Sequence, residues 1–182
     1  MLRIIIVRQK QGNSDLNCAI AWKRRLGIDI KPYFTVAKKA TKETKLRWLH
    51  YKIVQNIFPT NLLLKKMNIK QSDACDHCGL TDTIVHYFFG CSNLSKLWSS
   101  VEDLLEGILK EEITLDPINA ILGFERNYNS YNNKKIAESN RLLLVTKHTI
   151  LKYHLTSKYN IMYMLYKEIE LRKDQFPSIV LQ

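Results

Sequence analysis

Glycine and proline are scarce in this chain, 6 and 4 among 182 residues. Loop-rich, collagen-like and disordered chains carry far more of both, so a helical globular protein is expected. Long apolar runs are missing too. The opening MLRIIIV has its apolar run cut off by Arg8 and Lys10, which is too short for the core of a signal peptide. No later stretch is long enough to span a bilayer. The expectation is a protein with no membrane partner, cytoplasmic and/or nuclear, where thiols stay reduced. With 46% hydrophobic residues, the chain has enough apolar material for one sizeable core, or one core and a small satellite.

Acidic residues are nearly absent from the first third. Residues 1–70 carry 16 Lys and Arg against 3 Asp and Glu, a net of +13. Residues 71–126 reverse the sign, 3 against 10, and residues 127–182 return to 9 against 4. A basic first third beside an acidic middle can present one face to a polyanion, or it can simply supply solvated helix faces; charge alone favours neither.

Hydrophobic periodicity predicts an all-α fold, with helices throughout. An amphipathic stretch runs from about Asp15 to Leu26, with Gly27 placed to end it. Thr41 is positioned to cap a helix running to about Phe58, whose Leu46, Leu49, Ile53, Val54 and Ile57 recur at helical spacing before Pro59. A short helix is expected over Asn61–Met67. Ser92 is placed to cap another through Leu109, and Asp116-Pro117 to start a short one that Gly123 ends. The polar run RNYNSYNN at 126–133 reads as a linker, followed by helices over about 134–155 and 160–173. Three parts follow: a basic lead-in with one helix (1–40), a helix plus a cysteine-bearing module (41–126) and a helical tail (127–182). No internal repeat or low-complexity tract interrupts them.

Cysteine is rare as well, yet three of the 4 fall in CDHCGLTDTIVHYFFGC at 75–91. Zinc takes four ligands in a tetrahedron, from thiolates and imidazoles. Cys75 and Cys78 have the C-x2-C spacing in which the chain reverses and both sulfurs face one ion, and Gly79 permits the tight turn. His86 and Cys91 come to one side if a helical turn runs through 84–89 and ends near Gly90. The set Cys75, Cys78, His86 and Cys91 is an embedded Cys3His zinc knuckle holding one structural Zn2+, with no position open to a substrate. A redox pair would need a βαβ context that is not visible. His77 lies inside the C-x2-C turn, where its ring would point away from the ion. Cys18 reads as a core residue of the first helix, and His50, His148 and His154 as packing or surface residues.

The words around this motif are specific. Leu46-Arg47-Trp48, Tyr51-Lys52-Ile53, Pro59-Thr60-Asn61, Leu64 to Ile69, Cys75, Cys78, Thr83-Ile84, His86, Phe88, Cys91 and Trp98 resemble the zinc-binding region that follows the reverse transcriptase in LINE-type non-LTR retrotransposon polyproteins. Trp22 and Leu26-Gly27-Ile28 resemble the family's lead-in, and ILGF at 121–124 with IAESNRLLLVTKHTILKYHL its tail helices. Val85 stands where the family often has Glu, and Phe89-Gly90 where Trp is frequent; neither position ligates metal. The family's catalytic parts are missing: no two aspartates adjoin, so the metal motif of a polymerase palm is absent, and there is no room for an apurinic-type endonuclease. The resemblance therefore implies a non-catalytic C-terminal fragment or truncated copy, from a region of the parent that helps hold RNA template or DNA target.

The expected partner is RNA or single-stranded DNA. Lys42, Lys45, Arg47, Lys52, Lys65 and Lys66 would supply phosphate contacts, with Lys23-Arg24-Arg25 an exposed basic patch. Trp48 and Tyr51 can stack on unpaired bases; the competing expectation for Trp48, which its neighbour Leu49 favours, is burial in the core. The alternative function is a zinc-stapled helical element packed on an absent polymerase domain of the parent polyprotein, with the apolar faces of its tail helices left bare.

Overall fold

The computed structural model describes residues 19, 21–24, 27–125, 131–153 and 160–179. Seven α-helices are bounded within them: α1 (Val36–Ala40), α2 (Thr44–Val54), α3 (Asn61–Lys66), α4 (Ser95–Leu109), α5 (Pro117–Leu122), α6 (Asn133–Tyr153) and α7 (Ile161–Glu170). No strand occurs among the described residues, only an antiparallel bridge between Ala74 and Thr81. The all-α expectation holds. Residues 21–24 are helical; Cys18, Arg25, His154 and most of the first expected helix lie outside the described residues.

The core is continuous from Trp22 to Phe176 and draws on every helix but α3, whose Asn61 is its buried residue. Its centre is α6. Residues 142–150 are buried without interruption, so the middle of this helix is covered on all sides, and polar side chains there and beside it find partners inside. Three cations on α6 do so at the ends of three other helices. Lys135 Nζ donates to the carbonyl of Leu109 at 2.9 Å, Arg141 Nε to that of Ala40 at 2.8 Å, and Lys147 Nζ to that of Ile121 at 2.5 Å. Each meets carbonyls that a helix C-terminus leaves unpaired, where the macrodipole also favours positive charge. Asn140 brackets the backbone of Phe124 by accepting from its N–H (2.7 Å) and donating to its C=O (2.9 Å). Gly123 precedes Phe124 with φ +89°, and a Cβ there would come within 2.5 Å of Asn140 Oδ1 and 2.9 Å of Val36. Glycine is obligatory at that position.

Helix ends differ in detail from the periodic reading. α2 starts at Thr44, with Glu43 at its N-cap; the Thr41 hydroxyl instead accepts from the Glu43 N–H at 3.1 Å. α2 stops at Val54, before Phe58, because Asn56 turns left-handed (φ +56°) and the Ile57 N–H returns to the Lys52 carbonyl. α3 ends the same way, with Asn68 at φ +56° and the Ile69 N–H on the Leu64 carbonyl. Asparagine followed by isoleucine thus closes both helices in a Schellman-like turn. Ser92 opens a 3-10 turn (Ser92–Leu94), and α4 begins at Ser95. A 3-10 segment (Lys31–Thr35) and α1 occupy ground where no helix is expected from the sequence.

The tail is locked to α2. Arg172, nearly buried, donates to both oxygens of Glu43 (2.7 and 3.0 Å) and to Glu168 at 2.6 Å, while Lys152 reaches Glu168 at 2.7 Å. Those two cations hold the Glu168 carboxyl down to about 2 against the cost of its burial.

Lys147 makes the core sensitive to pH. It is 1% exposed, and desolvation pulls its ammonium from the ordinary lysine range down to about 7. In the unfolded chain the same group keeps its proton to about 10.4. Between those values the unfolded state binds one more proton, so stability rises with pH, by at most ~1.4 kcal/mol per unit. Urea denaturation of wild type and Lys147→Met between pH 7 and 10 should show this rise in wild type and a flatter profile in the variant.

Candidate metal centre

The site is a short hairpin facing an irregular helical turn. The Ala74–Thr81 bridge closes the hairpin, reinforced by Cys75 N–H to Leu80 C=O (2.7 Å) and Asp82 N–H to Asp73 C=O (2.8 Å). Within it, the Gly79 N–H donates to the Cys75 carbonyl at 3.0 Å with Gly79 at φ +75°. That turn places Cys75 and Cys78 on one side. Asp82 anchors the hairpin: its buried carboxylate accepts from the Asn61 N–H at 2.9 Å, and Asn61 Nδ2 donates to the Ala74 carbonyl at 2.6 Å. The first turn of α3 is thus tied to the knuckle, and burial raises the Asp82 carboxyl above its usual range. The sequence reading did not single out Asp82. An acid two residues before a helical turn gives no sign that its partner lies 21 residues earlier.

The second pair of donors brackets a π-helical turn, His86–Gly90, with His86 at its start and Cys91 directly after it. Thr83 starts it, accepting at its hydroxyl from the His86 N–H (3.1 Å) and at its carbonyl from the Tyr87 N–H (2.8 Å). The Cys91 N–H closes it on the His86 carbonyl at 3.0 Å. A five-residue ring is what the His86–Cys91 spacing calls for, and it brings imidazole and thiol together. Aromatic packing fixes the turn on the core. Phe58 contacts Tyr87 and Phe88 with centroids 5.0 and 4.7 Å away, and Trp98 of α4 donates its indole N–H to the Phe88 carbonyl at 2.9 Å.

The donor atoms of Cys75, Cys78, His86 and Cys91 all lie within 4.8 Å of one another. Cys75 Sγ is 4.0 Å from Cys91 Sγ, and Cys78 Sγ is 3.3 Å from His86 Nε2. A zinc tetrahedron with bonds of 2.0–2.3 Å has edges of roughly 3.3–3.8 Å. A disulfide would need sulfurs at about 2.05 Å. Burial, with the other two thiols adjacent, pushes the Cys91 thiol up to about 11, despite a backbone N–H from Asn93 that works the other way. Three thiols so placed cannot all ionise unless a cation joins them. The donor set therefore fits a Cys3His zinc ion. His77 is exposed and outside the cluster, and His50 is buried, its Nε2 2.9 Å from the Tyr33 carbonyl oxygen.

The basic residues divide into two groups. Lys23, Arg24, Lys42, Lys45, Lys65 and Lys66 are exposed, with Lys65 paired to Asp73 at 2.7 Å. Arg47 is half-buried, its guanidinium on the carbonyls of Thr41 (2.6 Å) and Lys38 (3.2 Å) at the end of α1. Lys38 and Lys39 are exposed on the last turn of α1 and adjoin this group. They were not singled out, because α1 itself carries no strong periodic signal. Trp48 overturns the expectation of burial. It is 51% exposed, stacked on Tyr51 with centroids 5.2 Å apart and planes 13° from parallel, and Lys52 Nζ lies 5.6 Å above its ring.

Metal removal gives a direct check. Chelation of the zinc-loaded protein should release Trp98 from the π-turn, seen as a shift in its fluorescence and loss of near-ultraviolet ellipticity. Cys91→Ser should weaken binding by orders of magnitude, given ~10 kcal/mol of apparent zinc affinity in structural sites. Cobalt titration, which reports thiolate ligation by its absorption, measures both.

Comparison with known proteins bears on the same stretch. No curated protein and no solved structure matches the chain. No helix among the described residues is long and apolar enough to cross a membrane. A family model described as zinc-binding in reverse transcriptase matches residues 25–98, a span that holds all four donors, α1 to α3 and Trp98. Over those residues the chain is similar to the zinc-binding region of reverse transcriptases.

Proposed function

We propose that the chain is a non-catalytic nucleic-acid-binding module, with RNA as its partner and one structural zinc ion, derived from a LINE-type non-LTR retrotransposon reverse transcriptase. The observation that carries the reading is the charge arrangement where α1 meets α2. Lys38, Lys39, Lys42 and Lys45 are all exposed within eight residues. The one acid among them, Glu43, is engaged by both nitrogens of the Arg172 fork. Three further acids are occupied internally: Glu102 and Glu106 accept from the N–H groups of Leu115 and Ile113, and Glu138 from Ser178. On this face the carboxylate is turned to a guanidinium and four ammonium groups face water, which suits a polyphosphate.

The closed ligand set supports a structural role for the zinc, since catalytic zinc keeps a position for water or substrate. The second reading, an element that packs on a polymerase domain, draws support from Tyr163 and Leu171, 63% and 73% exposed on and just after α7.

Filter binding of RNA over a salt series tests the proposal. Engagement of four to six cations on a single strand gives a slope of about −3 to −4 in log affinity against log salt. Changing Lys38, Lys39, Lys42 and Lys45 together to Gln should flatten it by about two to three units, with zinc content and helicity retained. No RNA retention at low salt would favour the packing element. With primed template, deoxynucleotides and magnesium, the purified chain should incorporate nothing above background and leave supercoiled plasmid uncut.

A further inference from the structure

Trp22 and Trp98 are buried, with their indole N–H groups given to the carbonyls of Val54 and Phe88 at 2.8 and 2.9 Å. Trp48, the third of the 3 tryptophans, does neither of these structural jobs: no backbone anchor is made by its ring and half its surface faces water. With Tyr51 three residues on, it forms a near-parallel pair of exposed aromatic faces on the outside of α2. Rings 5.2 Å apart at 13° are the start of a column that another planar ring can extend.

The surroundings decide which planar ring. The exposed residues of α2 are Thr44, Lys45, Trp48 and Tyr51, with Arg47 and Lys52 half-buried. No leucine, isoleucine or valine is exposed on this helix, whereas an apolar protein groove would ask for aliphatic side chains to fill it. Lysines stand at both ends: Lys45 one turn before Trp48, and Lys52 one turn after, its Nζ over the indole. Aromatic faces between two cations, spaced along a helix, match a strand that alternates bases with phosphates.

We propose that Trp48 and Tyr51 form a stacking site for unpaired nucleobases, with Lys45 and Lys52 on the flanking phosphates, so that this face selects single strands over duplex. The inference rests on the nucleic-acid reading above and adds to it a site and a preference. A duplex presents the same phosphates but hides the faces of its bases, so it engages the lysines and not the rings. Lys52 moves from the indole face to a phosphate as the base enters.

Fluorescence titration of the zinc-loaded full chain tests this with two probes, an oligouridylate and a fully paired RNA duplex of equal length, at one salt concentration. The oligouridylate should quench tryptophan emission, and the duplex should bind with little quenching. Trp48→Ala should weaken single-strand binding roughly 5- to 150-fold, the scale of one stacked base, while duplex affinity stays within about twofold and the salt slope is unchanged. Trp48→Phe should recover part of the loss. Equal effects of Trp48→Ala on both probes, or on neither, overturn the stacking site and leave the electrostatic reading standing. Self-association of the wild type that Trp48→Ala abolishes also overturns it, by identifying the pair as a contact between copies. Absence of binding to both probes at low salt removes the nucleic-acid reading itself.

Discussion

Three helices end against one, and that is the constraint from which the rest of the arrangement follows. Lys135, Arg141 and Lys147 of α6 each hold a carbonyl at the C-terminus of α4, α1 or α5. Their spacing of six residues steps around the helix by about 240° each time, since an α-helix turns 100° per residue, so the three cations leave α6 in three directions. A helix whose middle two turns are covered on every side is poorly fixed in rotation by apolar packing alone, because one buried stripe resembles another. Directed bonds to three separate backbones distinguish the rotations. The charge of Lys147 is expensive in that setting, since burial pulls its ammonium down to about 7, and the return is an oriented α5. Orientation matters there because α5 leads directly into Gly123 and Phe124, which Asn140 grips.

The knuckle solves a different problem. Its hairpin is too short to bury a core of its own, and Leu80 at its tip is exposed. What holds it are the four donors on one side and the Asp82–Asn61 contact on the other. The π-turn is shared: its sulfur and imidazole face the hairpin, while Phe88 and the Phe88 carbonyl face Phe58 and Trp98. Metal binding on one face of that turn is therefore coupled to aromatic packing on the other.

Much of this was legible in the sequence, and the failures have specific physical causes. The five-residue step from His86 to Cys91 required a helical turn between them, and one is there, as a π-turn. Leu46, Leu49, Ile53 and Val54 of the periodic stripe form the buried face of α2, whereas Ile57, beyond the helix end, is exposed. Trp48 was misjudged by adjacency to Leu49. Neighbours on a helix point about 100° apart, and the period that sends Leu49 inward sends Lys45, Trp48 and Lys52 together toward the outer face. The expected end of α2 near Phe58, ahead of Pro59, came too late, because the helix has already turned at Asn56, where a short polar side chain tolerates the left-handed region. Lys147 lies in LLLVTKHTI, where no local pattern tells a buried lysine from a solvated one; its partner Ile121 is far away in sequence. Residues 31–40 fold as two short helical pieces, too brief for periodicity to show.

The orientation of the basic face depends on residues well outside the stretch that carries it. Lysines 38 to 45 belong to the first third of the chain, and the zinc-binding match ends at residue 98. Yet the carbonyl end of α1 is held by Arg141, and Glu43 at the start of α2 by Arg172. Were Glu43 not drawn inward by Arg172, its carboxylate would stand among the four lysines and partly cancel them. It already touches Lys45 at 3.6 Å. Arg172 thus does two things with one guanidinium: it fastens the tail to α2, and it withdraws the single negative charge from a surface whose other charges are positive. Glu168 assists by sharing the same guanidinium, and Lys152 balances Glu168 in turn. The C-terminal helices are in this sense part of the basic site, since they fix both its geometry and its sign.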